Sequence, residues 1–320
     1  MSTTFTAQAK PIKITPKTHE EWLSLRQGIG SSEIATILGL NKWETPYQLW
    51  LRKTGQLPPK EETFAMKAGH YLEDAVSKFW QDETGRQVIK SSSAENIYIH
   101  PEKDFLRVSP DRTYWIPGMP KSEENKGILE CKTTQMVVDA ENIPEYWFCQ
   151  VIYQMGVMQK EQASLAWLQG GRDFGYMDIT FVPDFYQFLI EEAEKFWFVN
   201  VLERIEPALT TSEDVLKKFA SHFDGKMVDA TENLMLEVSR LKDIKKDIKE
   251  LEEKKDAIEE QVKLYMMDAE LLAFGGQKLA TWKTAKGSQK FNDKAFAAAH
   301  PGLYSEFLVS TPGSRRFLLK

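Results

Sequence analysis

Cysteine is nearly absent from this chain: Cys131 and Cys149 are the only two in 320 residues. One disulfide could not hold a chain of this size, so a reduced, intracellular compartment is the simpler expectation. Two thiols also exclude an iron–sulfur cluster or a Cys-rich zinc site. Histidine is almost as scarce, and His19, His70, His100, His222 and His300 show no ligand spacing such as HExxH. Any metal should therefore be a hard cation held by carboxylates, which favours Mg2+ or Mn2+. No apolar run approaches the roughly 20 residues that a bilayer crossing needs. The opening "MSTTFTAQAKPIKITPK" has no apolar core of the kind an export signal carries, so neither membrane insertion nor export is expected.

What is present is ample core material. With 42% hydrophobic and 12% aromatic residues, the chain can fill one large domain with an appendage, or two domains. The net charge of -6 argues against a broadly basic coat for nucleic acid, but a sum over the chain hides local fields. From Phe274 onward eight Lys and Arg residues stand against two acidic ones.

Thr18 followed by Glu21 is a capping-box pattern that opens the helix "HEEWLSLRQ". In "GIGSSEIATILGLNKW" a glycine turn leads to Ser31 or Ser32 as N-cap of a short helix that stops at Gly39. Thr45 and Pro46 start another helix, N-cap then proline at the first position. In "MKAGHYLEDAVSKFWQDETG" Leu72, Val76, Phe79 and Trp80 keep the helical period and Gly85 closes it. The runs "QVIK", "NIYIH", "FLRVSPDRTYWI" and "ILECKTT" read as strands. "PEYWFCQVIYQMGVMQK" reads as a long helix, "ASLAWLQGG" and "FGYMDITFV" as two strands around a Gly-Gly turn, and "DFYQFLIEEAEKFWFVNVLERI" as an amphipathic helix with Phe185, Phe188, Leu189 and Phe196 on one face. This order predicts a mixed α/β domain over residues 1–210, its central mixed sheet flanked by helices.

Beyond it the composition changes. Leu234, Leu241, Ile248, Lys255 and Val262 recur every seven residues, with Ile244, Leu251, Ile258 and Tyr265 as the second series. A coiled-coil-like helical arm is expected within 211–270. Packing of this helix on its own chain and pairing with another chain both fit the pattern. Residues 271–320 read as a small basic α+β tail, with strands in "FGGQKLATWKT" and "RRFLLK" around the helix "DKAFAAAHP".

In "GILECKTT" Glu130 and Lys132 share one face of a strand while Leu129 and Cys131 share the other. An isolated E-x-K is ordinarily a cross-strand ion pair. Here Asp111 follows Pro110 about 20 residues upstream, in a strand–loop–strand context able to bring two carboxylates together. Glu73, beside Leu72 on its helix, lies at the edge of the buried stripe and could reach over the sheet, while Asp74 turns further toward solvent. Three converging carboxylates repel unless a cation neutralises them. Two divalent ions roughly 3.5 to 4 Å apart can activate a water and stabilise a leaving oxygen in phosphodiester hydrolysis. Asp111 would bridge them, Glu130 and the Cys131 backbone carbonyl would hold one, Glu73 the other, and Lys132 would position the water and offset developing charge.

Taken in order and spacing, "WLSLRQGIGSSEIATILGLNKWETPYQLWLRKTG", "GHYLE", "SPD", "LECK" and "CQVIYQMGVM" resemble the YqaJ-type viral recombinase family, relatives of phage lambda exonuclease within the PD-(D/E)xK nuclease superfamily. The resemblance covers residues 20 to about 200. It implies a PD-(D/E)xK fold and a Mg2+-dependent exonuclease, with Mn2+ able to substitute, that digests one strand of linear duplex DNA from its 5′ end and leaves a 3′ overhang for a single-strand annealing protein. It also implies a homo-oligomeric ring, usually a trimer, around the DNA. Arg26, Ser32 and Ser109 match residues that contact phosphate in the family, a role their chemistry suits, and Gln150 matches a glutamine that supports the lysine or the DNA backbone. The lambda-like arginine shortly after the E-x-K is missing, since this chain reads "KTTQMVV". The competing readings are a structure-specific or restriction-like endonuclease and a non-cutting DNA-end-binding scaffold. Clustered carboxylates beside a polyanion argue against the scaffold.

Overall fold

The computed structural model describes residues 9–25, 27–89, 96–311 and 313–320. The chain divides into two compact units, Met1–Val215 and Leu216–Lys320. In the first unit β1 (Ile12–Ile14), α1 (His19–Leu25), β2 (Ile29–Gly30), α2 (Ser31–Ile37), α3 (Pro46–Lys53) and α4 (Phe64–Thr84) precede the strands β3 (Ile97–Ile99), β4 (Leu106–Val108), β5 (Arg112–Trp115) and β6 (Lys126–Thr134). Then come α5 (Glu145–Val157), β7 (Gln162–Gln169), β8 (Asp173–Thr180) and α6 (Pro183–Lys195), which runs on as a wider-coiled π stretch, Phe196–Leu202.

The strands form two four-stranded sheets, in the orders β1-β3-β4-β2 and β5-β6-β7-β8. The run "FLRVSPDRTYWI", which looks continuous in sequence, is divided between them: β4 belongs to the first and β5 to the second. Pro110 explains the break, because it has no N–H to give a ladder and confines pairing to the residues around it. Asp111 is thus carried to the seam where the chain changes sheets. In the second sheet β5 pairs antiparallel with β6, Arg112 opposite Leu129, and β6 pairs parallel with β7 through the crossover helix α5.

A parallel central pair is buried on both faces, and β6 follows that rule from Gly127 to Cys131. Leu129 and Cys131 pack with Val76 and Trp80 of α4 and with Tyr114. Ile128 faces the other way, into the larger core built on α5 with Ile152, Tyr153 and Met155.

The helix starts show where local chemistry decides. Thr18 Oγ1 accepts from the Glu21 N–H at 3.1 Å, and Thr45 Oγ1 accepts from the Gln48 N–H at 3.1 Å with Pro46 next in the helix. Helix α2 departs from expectation, since its N-cap is Gly30 rather than Ser31 or Ser32. Glu33, three residues on, takes the Gly30 N–H at 2.9 Å, so the helix's own carboxylate performs the capping and the serines move inside the first turn. On α4 the buried residues are Val76, Ser77 and Trp80, while Leu72 and Phe79 are exposed. Glu73 therefore stands in line with the buried stripe, at the i, i+3, i+4, i+7 spacing, and not at its edge.

The second unit holds the end of α7 (Ser212–Lys218), the long helix α8 (Glu232–Met266), the hairpin β9 (Leu271–Phe274) and β10 (Gln277–Thr281), and the short helices α9 (Asp293–Ala299) and α10 (Pro301–Glu306). The hairpin turns on Gly275 and Gly276, both at positive φ, as a two-residue turn demands. The expected strand at "RRFLLK" does not form. Among the described residues no helix is long and apolar enough to cross a membrane.

Gly156 sets the approach of α5 to α6. A Cβ there would lie 2.1 to 2.3 Å from the Tyr186 ring. Gly156→Ala should gain ~1 kcal/mol of helix propensity but lose ~1–3 kcal/mol to the overpacked ring. The expected net result is destabilisation, read as a lower urea midpoint at unchanged slope.

Candidate active site

Glu130 sits on β6 with 2% exposure, and three hydrogen bonds reach its carboxylate. Lys132 Nζ donates to its Oε1 at 2.6 Å, Gln150 Nε2 donates to the same oxygen at 2.6 Å, and Gln154 Nε2 donates to Oε2 at 2.8 Å. Gln150 Oε1 in turn accepts from Lys132 Nζ at 2.9 Å. The parity of the strand makes this possible: Glu130 and Lys132 project on the face covered by α5, and the two glutamines are one helical turn apart on α5. Gln154 also reaches Ser31 Oγ at 3.4 Å, which ties the first turn of α2 to the same cluster.

Asp111 and Glu73 approach from elsewhere. Asp111 Oδ2 accepts from the Cys131 N–H at 2.8 Å, at the position where β6 has run past the end of β5. Because N–H and C=O of one strand residue leave toward the same edge, the Cys131 carbonyl faces this opening too. Glu73 comes from α4, on the opposite face from Glu130. It accepts from or shares a proton with His70 Nδ1 at 3.0 Å, and the Arg112 guanidinium lies 3.6 Å from its Oε2. Arg112 also donates to the Asp74 carboxylate at 2.6 Å. Asp74, though 76% exposed, is thus the anchor of an arginine beside the site.

The electrostatics match this crowding. Burial, then the charges of Glu130 and Glu73, push the Asp111 carboxyl well above the usual carboxylate range. Burial also raises Glu73, with Glu130 adding to the shift and His70 and Arg112 opposing it. Burial works against the Lys132 ammonium, yet Glu130 and Asp111 outweigh it and the lysine is held above its ordinary value. The Cys131 thiol is pushed well up by burial and the same two carboxylates, which leaves it an inert core group.

Among the described residues no three His, Cys, Asp or Glu side chains form a ready-made cation cage. Both Glu130 oxygens accept from Lys132, Gln150 and Gln154, and Glu73 faces His70 and Arg112, so these carboxylates are partnered within the protein. The donor set itself, three carboxylates of which two resist ionisation, suits a hard divalent cation.

Of the residues matched to phosphate contacts, Ser32 is exposed at the second position of α2 and Ser109 is half-buried just before Pro110. Gln150 belongs to the Glu130–Lys132 cluster, and Arg26 lies outside the described residues. Sequence reasoning missed Gln154, Ser31 and Arg112. For Gln154 a signal existed: a second glutamine at i+4 from Gln150 in an otherwise apolar helix. Arg112 gave none.

A YqaJ-like viral recombinase domain model matches residues 21–161. The uncharacterized protein YqaJ of Bacillus subtilis (strain 168) is 34% identical over 320 residues, covering 96% of each chain. The chain belongs to the YqaJ-like viral recombinase family. Solved structures similar to this family member include LHK-Exo of Laribacter hongkongensis, an alkaline exonuclease, in complex with dAMP, at 16% identity, 62% coverage of this chain, 97% of that chain and a TM-score of 0.46. A phage-related exonuclease from Haemophilus somnus 129PT follows at 13% identity, with 56% and 96% coverage and a TM-score of 0.38. These likenesses concern the course of the chain only.

The raised carboxyls of this YqaJ-like domain carry a pH dependence. A carboxyl whose folded pKa exceeds its unfolded value favours folding most fully below the ordinary range, about pH 4, and that contribution is lost as pH rises through the folded value. Asp111→Asn keeps an acceptor for the Cys131 N–H and removes the titration. In a chelator, the variant's melting temperature should therefore gain on the wild type from pH 4 to pH 8. A pH-independent difference would contradict the repulsion at Asp111.

Proposed function

We propose that this protein is a Mg2+-dependent exodeoxyribonuclease that degrades one strand of linear double-stranded DNA, 5′ to 3′, to prepare 3′ overhangs for recombination by single-strand annealing. The observation that carries the reading is the Glu130–Lys132 pair, buried, clamped by Gln150 and Gln154, and facing two carboxyls that resist ionisation. Membership of a viral recombinase family supports DNA as the substrate. The remaining parts of the reading are a cytoplasmic protein, a ring of subunits with a trimer favoured, and an annealing protein as partner.

On this reading Glu73, Asp111, Glu130 and the Cys131 carbonyl hold two Mg2+ ions, with Mn2+ able to replace them. Bound there, the ions supply charge neutralisation for the phosphate and a more acidic water. Lys132, kept cationic by Glu130 and Asp111, orients the attacking water and offsets negative charge developing on the phosphate. Gln150 and Gln154 hold the Glu130 carboxylate in one rotamer. Ser32, Ser109 and Arg26 are assigned to the 5′ phosphate and the adjoining backbone.

The test uses duplexes labelled at either end, with closed circles as control. Linear duplex should be shortened from the 5′ end only in Mg2+ or Mn2+, with circles spared. Glu130→Gln, which keeps the shape of the buried side chain, should lose cleavage by at least ~100-fold and still bind DNA ends. Mg2+ should raise the melting temperature of the wild type more than that of Asp111→Asn. Equal digestion of closed circles would point to an endonuclease, and full activity in Glu130→Gln would remove this site from the chemistry.

A further inference from the structure

Helix α8 runs for 35 residues, and Met266 at its last turn is its buried residue. Along one line Ile244, Ile248, Leu251 and Ile258 are 45 to 63% exposed. A helix that leaves an aliphatic line at heptad spacing in water is a helix without its partner. In that repeat Leu241, Ile248 and Lys255 take the first core position, Ile244, Leu251 and Ile258 the second. Lys245 and Glu252 flank the second position, while Asp247 and Lys254 flank the first. Along the helix the ion pairs Lys246–Glu250 and Lys249–Glu253, 3.8 Å each, lie on the outward faces, while Arg240–Glu237 and Lys255–Asp256 use a flanking and a core-position side chain; Lys245, Asp247, Glu252 and Lys254 stand in none of these four pairs.

The flanking charges discriminate between possible partners of the same sequence. In a parallel pair like positions stack, so Lys255 would meet Lys255 in the core. The flanks would oppose Arg240 to Lys245 and Asp247 to Glu252, both like-charged, with only Lys254–Glu259 complementary. In an antiparallel pair first-position residues meet second-position residues, and flanks of the same kind face each other. With Ile248 against the partner's Leu251, Leu241 meets the partner's Ile258, and Ile244 meets the aliphatic stem of the partner's Lys255. Lys245 then faces the partner's Glu252 and Asp247 faces the partner's Lys254, each twice by the two-fold. Sliding one heptad in one direction brings Lys245 onto Lys245 and Asp247 onto Asp247. Sliding in the other brings Glu252 onto Glu252 and Lys254 onto Lys254. Of these three registers only the first sets opposite charges together in both rows.

We propose that α8 pairs antiparallel with α8 of a second copy of this chain, across a two-fold axis separate from the contacts that would close a ring, in the register that sets Ile248 against the partner's Leu251. The native cysteines are buried, so engineered thiols report the contact in the full-length protein. Lys245→Cys and Glu252→Cys variants mixed together should form a mixed disulfide, whereas neither variant should cross-link with itself. Glu252→Lys should weaken self-association, read by sedimentation equilibrium, about tenfold, and Lys245→Glu combined with Glu252→Lys should restore it. Preferential cross-linking of Arg240→Cys with Lys245→Cys would establish a parallel pair and overturn the proposal. Absence of any cross-link, with sedimentation unchanged by Glu252→Lys, would overturn pairing altogether. These readouts hold whether or not the protein cuts DNA.

Discussion

The carboxylate of Glu130 is almost wholly removed from water, and an ionised group in that position costs several kcal/mol unless donors replace its hydration. Three side chains do so, one from the same strand and two from α5. This requirement fixes much of the first unit. The lysine must stand two residues along β6, the covering helix must present glutamines four residues apart, and the crossover from β6 to β7 must lay that helix on the same face. Removing any one partner leaves a buried charge or amide uncompensated, at a cost of ~3–5 kcal/mol when the partner is charged.

The opposite pressure comes from Asp111. Pro110 stops the ladder, the chain leaves one sheet for another, and the acid next to it is delivered to the unpaired edge of β6 beside Glu130. Glu73, in line with the buried stripe of α4, arrives from the other face. The protein thus brings three carboxyls toward one another from two faces and an edge, close enough for each to feel the others' charge. Stability is spent on this crowding, since Asp111 and Glu73 both resist ionisation. Crowding of this kind costs stability, and the proposed function gives it a use.

Where a local rule and the tertiary structure agree, the sequence was transparent. Period two separated Glu130 and Lys132 from Leu129 and Cys131; Thr45 with Pro46, and Gly85, marked helix ends through caps that the structure contains. Where several donors compete for one role, the outcome depended on context. Ser31 and Ser32 are both good caps, but Glu33 reaches back to Gly30 and takes their place. Leu72 and Phe79 fit the helical period yet remain exposed, because the helix is turned to bury Val76, Ser77 and Trp80, with Glu73 half-buried in line with them. The division of one apparent strand into β4 and β5 was signalled by Pro110, but which sheet each half joins is a matter of long-range pairing that no local pattern encodes. Gln154 matters only once α5 lies over Glu130.

The protonation of Lys132 bears directly on the proposed mechanism. Burial alone would favour a neutral amine, which could accept a proton from water. The carboxylates of Glu130 and Asp111 more than reverse that preference and hold the side chain as an ammonium above its ordinary range. With those two carboxylates uncomplexed, the ammonium is the favoured form. On the proposed reading its part is therefore electrostatic, donating hydrogen bonds and positive charge where the phosphate gains negative charge. The proton lost by the attacking water must leave by another group or to solvent. The raised Asp111 and Glu73 carboxyls would accept protons most readily among the acids of this site, but in that form they would be poor ligands for a cation. Proton acceptance and cation binding therefore compete at these two side chains.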